Sequence, residues 1–228
     1  MGKTINKFIY SVKNQIAAFN LTDDFTVSDE FIYEQMLDVR AAVIDELNRN
    51  KKAIPDGYYQ RICCLEIMCS NVSCETGVQY PEPEYYVDLP EIMSFENWSE
   101  IKYLGFPGFE QDKKFDRLNF DSWTSTDGRE YTSTDPFFTV VDRTAYLKNL
   151  PTSGGKYLCL IALLSEPRSS CDWNDKSILP IPREKVHKME LITIKQILST
   201  KNQEIPDVLN DALDAIQKVT QQQQAPQQ

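Results

Sequence analysis

The sequence predicts an α+β protein in which helices from both chain ends form one bundle, interrupted by a large β-rich insertion. Three observations carry this. Apolar residues recur at helical spacing up to about Asn50 and again beyond Pro182. Between about Tyr58 and Leu179 that period gives way to short strand-like runs separated by turn residues. Chain ends that flank an insertion tend to meet in space, which groups the two helical segments. The expected divisions are N-terminal helices over 1–55, the β-rich insertion over 56–181, C-terminal helices over 182–219, and a glutamine-rich tail over 220–228.

The elements follow in order. Ile5, Phe8, Ile9, Val12, Ile16 and Phe19 form the stripe of a first helix. After the polar break "NLTDDFTVSD", Ser28 is a suitable N-cap, because its hydroxyl can satisfy a free backbone N–H. Ile32, Met36, Val39, Val43 and Leu47 form a second stripe, with Asp29 and Glu30 placed favourably against the helix dipole. Lys51 and Lys52 lie beyond that helix, and Pro55 with Gly57 stops it. "YYQRICCLEIMC" reads as a strand with Cys63, Leu65, Ile67 and Cys69 on one face, since side chains alternate. "YPEPEYYVDLP" carries too many prolines for a central strand and reads as an extended loop or edge. "IKYLGF" and "YLCLIALL" are strand-like. The Asp-Gly pair of "TDGRE" suits a tight hairpin, and "TSGG" makes a second turn between "FFTVVDRTAYL" and "YLCLIALL". Pro182 fits a first helical turn, where its missing N–H costs nothing. His187, Leu191, Ile194 and Leu198 then share a face, beside Val186, Met189 and Ile197. Pro206 opens a last helix carrying Val208, Leu209, Leu213, Ile216 and Val219.

Composition narrows the function classes. At 41% hydrophobic and 11% aromatic, the 228 residues are not a wholly disordered chain. A net charge of −10, without a dense Lys/Arg cluster, disfavours a protein that grips nucleic-acid phosphates. No apolar run approaches the ~20 residues of a spanning helix. The opening "MGKTINKFIYSVKNQ" has no hydrophobic signal core, and Asn6 stands where a myristoylation motif wants Ser or Thr. The expectation is a soluble chain made in a cytoplasm, so the glycosylation patterns "NLT", "NVS" and "NWS" carry no meaning. The tail "TQQQQAPQQ" has nothing to bury and by itself should be unstructured.

Catalytic signals are sparse. His187, the single histidine, sits on the Leu191/Ile194 stripe and reads as a core or boundary residue rather than a base. "GFPG" and "SGG" lack the spacing of a phosphate loop, and no G-x-S-x-G or H-E-x-x-H occurs. A carboxylate pair drawn from distant positions stays open. Cys63, Cys64, Cys69, Cys74, Cys159 and Cys171 do not suit a disulfide framework in a reducing compartment. They also lack the CxxC pairs of zinc ribbons, the first gaps being one, five and five residues. Buried cysteine acting as a small hydrophobe is the simplest reading, with a metal site as the alternative. No cofactor and no metal are expected. Tyr80, Tyr85, Tyr86, Phe95 and Trp98 cluster in the proline-rich stretch, where exposed aromatics favour protein contact. The same residues would serve equally well folded back as a lid.

Four pieces of the chain together carry a family resemblance. They are "FTVSDEFIYEQMLDVRAAVIDEL", with Tyr33 and the Arg40–Ala41 pair; "YYQRICCLEIMC"; "VDLPEIM…IKYLGF" followed by an Asp-Gly hairpin; and "LPIPREKVHKMELITIKQIL" with the later "IPDVLNDA". In order and spacing they resemble the ring or adaptor proteins in the neck and tail of crAss-like bacteriophages, and more loosely other head–tail connectors. The resemblance spans Thr4 to Val219. It implies a connector-type bundle and a structural virion protein without catalysis. It further implies a homo-oligomeric ring of twelve copies matching the portal, which extends the channel through which viral DNA passes without sequence-specific binding. Partners would be the portal protein or adjacent tail-ring proteins, with no membrane, and the chain would reside in the host cytoplasm before assembly. The tail, Thr220, Gln221, Gln222, Gln223, Gln224, Ala225 and Pro226, would dock on a neighbour and order there. Tyr85, Tyr86 and Trp98 would contact the next component from the insert. Two alternatives are a cysteine-rich metal-binding or enzymatic domain, and a cytoplasmic interaction domain that forms no ring.

Overall fold

The computed structural model describes residues 3–18, 27–72, 79–95, 100–108, 114–119, 135–150, 155–201 and 207–222. The protein is α+β, with four α-helices and eight strands among the described residues. The chain forms two compact units. One combines Met1–Tyr58 with Asn174–Gln228, and the other is the intervening Tyr59–Trp173.

Among the described residues, the α-helices all lie in the first unit: α1 (Ile5–Ala18), α2 (Asp29–Arg49), α3 (Val186–Thr200) and α4 (Asp207–Gln222). Ile5, Phe8, Ile9, Val12 and Ile16 of α1 are buried, as their spacing requires. Phe19 lies outside the described residues. Ser28 caps α2, its Oγ accepting the Phe31 N–H at 3.2 Å. α3 packs against α1, α2 and α4, and its Ile194, Ile197 and Leu198 are fully buried. The segment that re-enters this unit runs beside its start: Thr4 bridges Ile178, and the Leu179 N–H donates to the Lys3 carbonyl at 2.9 Å.

The buried face of α2 differs from the expected stripe. Ile32, Met36 and Val39 are buried, whereas Val43 and Leu47 are only half-buried, and Tyr33, Arg40 and Ile44 take the inner positions. In the second half of α2 the buried positions are Arg40 and Ile44, and Arg40 donates to backbone carbonyls there. His187 is also not a core or boundary residue. Its side chain is 67% exposed, while Glu190, three residues on, is buried and paired with Lys3.

The second unit contains β1 (Gln60–Glu66), β2 (Met68–Val72), β3 (Gln79–Asp88), β4 (Ile101–Gly105), β5 (Asp116–Arg117), β6 (Phe137–Val141), β7 (Thr144–Lys148) and β8 (Tyr157–Ala162). They form a three-stranded sheet in the order β1-β8-β4 and a five-stranded sheet in the order β2-β3-β7-β6-β5. All pairings are antiparallel except β5 with β6. Ile62, Leu104, Leu158 and Leu160 of the first sheet join Val87, Phe138, Ala145 and Leu147 of the second in one apolar core.

Three strand expectations need correcting. "YYQRICCLEIMC" is not one strand: it splits into β1 and β2, which belong to different sheets. A register shift between Ile62 and Leu65 breaks the alternation, so Ile62 and Leu65 both face the core. "YPEPEYYVDLP" is neither loop nor edge, because β3 lies between β2 and β7. Its prolines are tolerated because β7 pairs only with Tyr85 to Asp88, leaving Pro81 and Pro83 in the part flanked on one side. "FFTVVDRTAYL" folds back as the β6–β7 hairpin, with Asp142 at φ 53° in its turn. "TDGRE" lies outside the described residues, and the strands that "TSGG" joins belong to separate sheets.

Candidate functional site: the paired cysteines of the first strand

The irregularity in β1 sends two adjacent cysteines to different partners. Cys63 is disulfide-bonded to Cys159 on β8, the two Cα atoms being 3.9 Å apart. Cys64 is disulfide-bonded to Cys171, with Cα atoms 6.4 Å apart. This overturns the expectation of unpaired cysteines packed as small hydrophobes. Strict alternation would have put Cys63 and Cys64 on opposite faces, one inward and one outward. The bulge instead leaves both half-buried and within reach of neighbours. Cys69 stands outside both bonds and is exposed, and Cys74 lies outside the described residues.

Cys171 is positioned by a short, well-bonded turn. Glu166 caps the 3-10 turn Pro167–Ser169, its Oε1 accepting the Arg168 N–H at 2.9 Å. Gln60 Nε2 donates to the Pro167 carbonyl at 3.2 Å, tying that turn to the start of β1. Asp172 follows, and its Oδ2 accepts the Cys63 N–H at 3.1 Å. Cys64 Sγ, Cys171 Sγ and an Asp172 carboxylate oxygen consequently lie within 4.8 Å of one another. Cys64 and Cys171 also line a cleft of about 290 Å³. Its walls include Ile62, Leu65, Met68, Leu89 and Pro90, with Glu66 and Asp88 as the acidic members.

A second polar cluster lies elsewhere in this unit. Glu100 is buried at 4% exposure and accepts from Arg117 Nη1 at 2.5 Å. Its other oxygen, Oε2, has no hydrogen-bond partner among the described residues. Both residues line a cavity of about 120 Å³ that also reaches Asp142 and Arg143. A buried ion pair with acidic and basic neighbours accounts for this arrangement without a ligand.

In the helical unit, the fully buried Arg40 is the dominant polar feature. Its Nη2 donates to the Tyr58 carbonyl at 2.9 Å and its Nε to the Pro180 carbonyl at 3.2 Å. Tyr58 is the last residue before the chain leaves this unit, and Pro180 lies shortly after it returns. Arg40 therefore pins the two passages that flank the insertion. The Tyr58 hydroxyl is buried without a partner among the described residues, and burial pushes its pKa up to about 12, with Arg40 opposing and Glu184 adding to the rise.

No protein-family model matches the chain, and no curated protein matches it. Among the described residues, no helix is long and apolar enough to cross a membrane.

The residues expected to bind partners fall in three groups. Tyr85 and Tyr86 are on β3 rather than a loop, and both are half-buried. Tyr85 packs against the core cluster, and the Tyr86 ring lies 6.4 Å from Tyr146 on the neighbouring strand. Trp98 lies outside the described residues. Thr220, Gln221 and Gln222 end α4, while Gln223, Gln224, Ala225 and Pro226 are also outside them. Sequence reasoning missed Cys171–Asp172 as a partner of β1, and nothing in the spacing announced it. Arg40 had a signal: it shares a helical face with Tyr33 and Ile44, where a charge must find partners.

Proposed function

We propose that the chain is a structural subunit of a head–tail connector or tail ring of a tailed phage, without catalysis of its own. The observation that carries this reading is the division of the chain: helices from both ends share one compact unit, and the β-rich segment forms another. A connector-type bundle with an inserted domain requires that division. The helices then contact neighbours in a twelve-membered ring, and the insert meets the next component of the tail. Tyr10 and Val208, 68% and 71% exposed on helices of the first unit, supply apolar area for such contacts. An acidic chain with a net charge of −10 suits a channel wall along which DNA slides. The tail beyond Val219 orders on the portal or on a neighbouring subunit.

The test is light scattering of the purified chain mixed with the portal ring of the same phage, repeated after truncation at Val219. Added mass equal to a ring for the full chain, lost on truncation, supports both ring and tail docking. Equal added mass for both removes the docking role from the tail. No added mass for either overturns the portal contact.

A further inference from the structure

We propose that Cys64, Cys171 and Asp172 form a redox-gated binding site for a thiophilic divalent cation, with Zn²⁺ as the ion best suited. This inference is independent of the connector reading. Three ligands of two types favoured by zinc, the Cys64 and Cys171 sulfurs (thiolates once their disulfide is reduced) and the Asp172 carboxylate, converge here with their ligand atoms within 4.8 Å of one another. Zn–S bonds of about 2.3 Å and Zn–O bonds of about 2.0–2.2 Å place tetrahedral ligands roughly 3.5–3.8 Å apart. The three groups therefore need only small side-chain movements to enclose one ion. The 6.4 Å between the Cys64 and Cys171 Cα atoms lies towards the wide end of the roughly 4.4–6.8 Å that a disulfide spans.

The surroundings fit a metal site. Asp172 is oriented by the Cys63 N–H at 3.1 Å, which fixes one carboxylate oxygen. Cys171 and Asp172 are exposed, so an ion can enter from solvent. Cys64 and Cys171 both border the 290 Å³ cleft, where Met68 and Leu89 exclude part of the water. Three protein ligands leave a fourth position for water or for a group supplied by a partner.

The gate is the Cys64–Cys171 bond. A dithiol gives two electrons and two protons to that bond, which breaks to two thiols while the dithiol closes to a cyclic disulfide. Zn²⁺ then replaces both thiol protons, which leave to solvent. In the disulfide form neither sulfur is a thiolate, and the ion has only Asp172.

Zinc titration of the full chain against a chromogenic indicator tests this in oxidised form and after reduction with a trialkylphosphine, which departs as its oxide with oxygen from water. The expected result is one Zn²⁺ per chain after reduction and none before it. Cys171→Ser should abolish binding, Asp172→Asn should weaken it at least about 10-fold, and Cys69→Ser should leave it unchanged. Cobalt substitution of the reduced wild-type chain gives a second readout that needs no variant to fold. Thiolate-to-cobalt charge transfer with tetrahedral bands is expected. Absence of zinc binding after reduction, equal binding before reduction, unchanged binding in Cys171→Ser, or cobalt spectra without thiolate bands would each overturn the proposal.

Discussion

Tyr58 shows how one buried hydroxyl couples stability to pH. With its pKa raised from 10.0 to about 12 in the folded chain, both states keep the proton below pH ~10, and the stabilisation is fully present there. As pH rises towards the folded value, only the unfolded chain ionises, and about 2–3 kcal/mol of stability is lost. Urea unfolding followed from pH 9 to 12 should show that decline, and Tyr58→Phe should remove this part of it. An unchanged slope in the variant would assign the decline to other groups. Arg40 is the second case at this scale. Arg40→Met strands the Tyr58 and Pro180 carbonyls inside the helical unit, at an expected cost of about 3 kcal/mol. The urea midpoint of the variant measures it, and a loss below 1 kcal/mol would mean that water replaces the guanidinium.

At the scale of elements, local rules held where burial and period agreed. α1 and the Ser28 cap follow directly from spacing and from the chemistry of a free N–H. They failed where an irregularity intervened. The shift in β1 cannot be read from alternating residues, and the prolines of β3 argue against a central strand although they sit outside its doubly paired half. The 3-10 turn Asp56–Tyr58 offers a direct test of close packing. A Cβ at Gly57 would meet Pro182 Cα at 2.9 Å and Pro182 N at 3.0 Å, backbone atoms with little freedom to move. Gly57→Ala should therefore destabilise by about 1–3 kcal/mol. Gly155→Ala, whose nearest contact would be Tyr157 N at 4.0 Å, should be neutral. Thermal melts of both variants decide it, and equal melting temperatures would refute the clash.

For the whole molecule, the two disulfides tie the beginning of the inserted unit to its end, across sequence separations of 96 and 107 residues. They are nearly redundant, because either bond by itself keeps the long loop closed. Replacing one pair with alanines, Cys63 with Cys159 or Cys64 with Cys171, should cost about 2–3 kcal/mol, since only a short additional loop opens. Replacing both pairs should cost more than the two single losses added, because the long loop opens only then. Denaturant unfolding of the three variants in the absence of reductant measures this, and simple additivity would contradict it.

The amino-acid sequence by itself determined the α+β class, the helices at both ends, the stripe of α1 and the N-cap of α2. These depend on residues within one or two turns of each other. Tertiary structure alone decided the strand order, the inner position of β3, the burial of Arg40 against two distant carbonyls, and the meeting of Cys64 with Cys171 and Asp172. Each of those joins residues far apart in the chain. Their proximity is set by how elements pack within each unit, the strands of the insert around their own apolar core and the helices against one another, and periodicity along the chain carries no record of that.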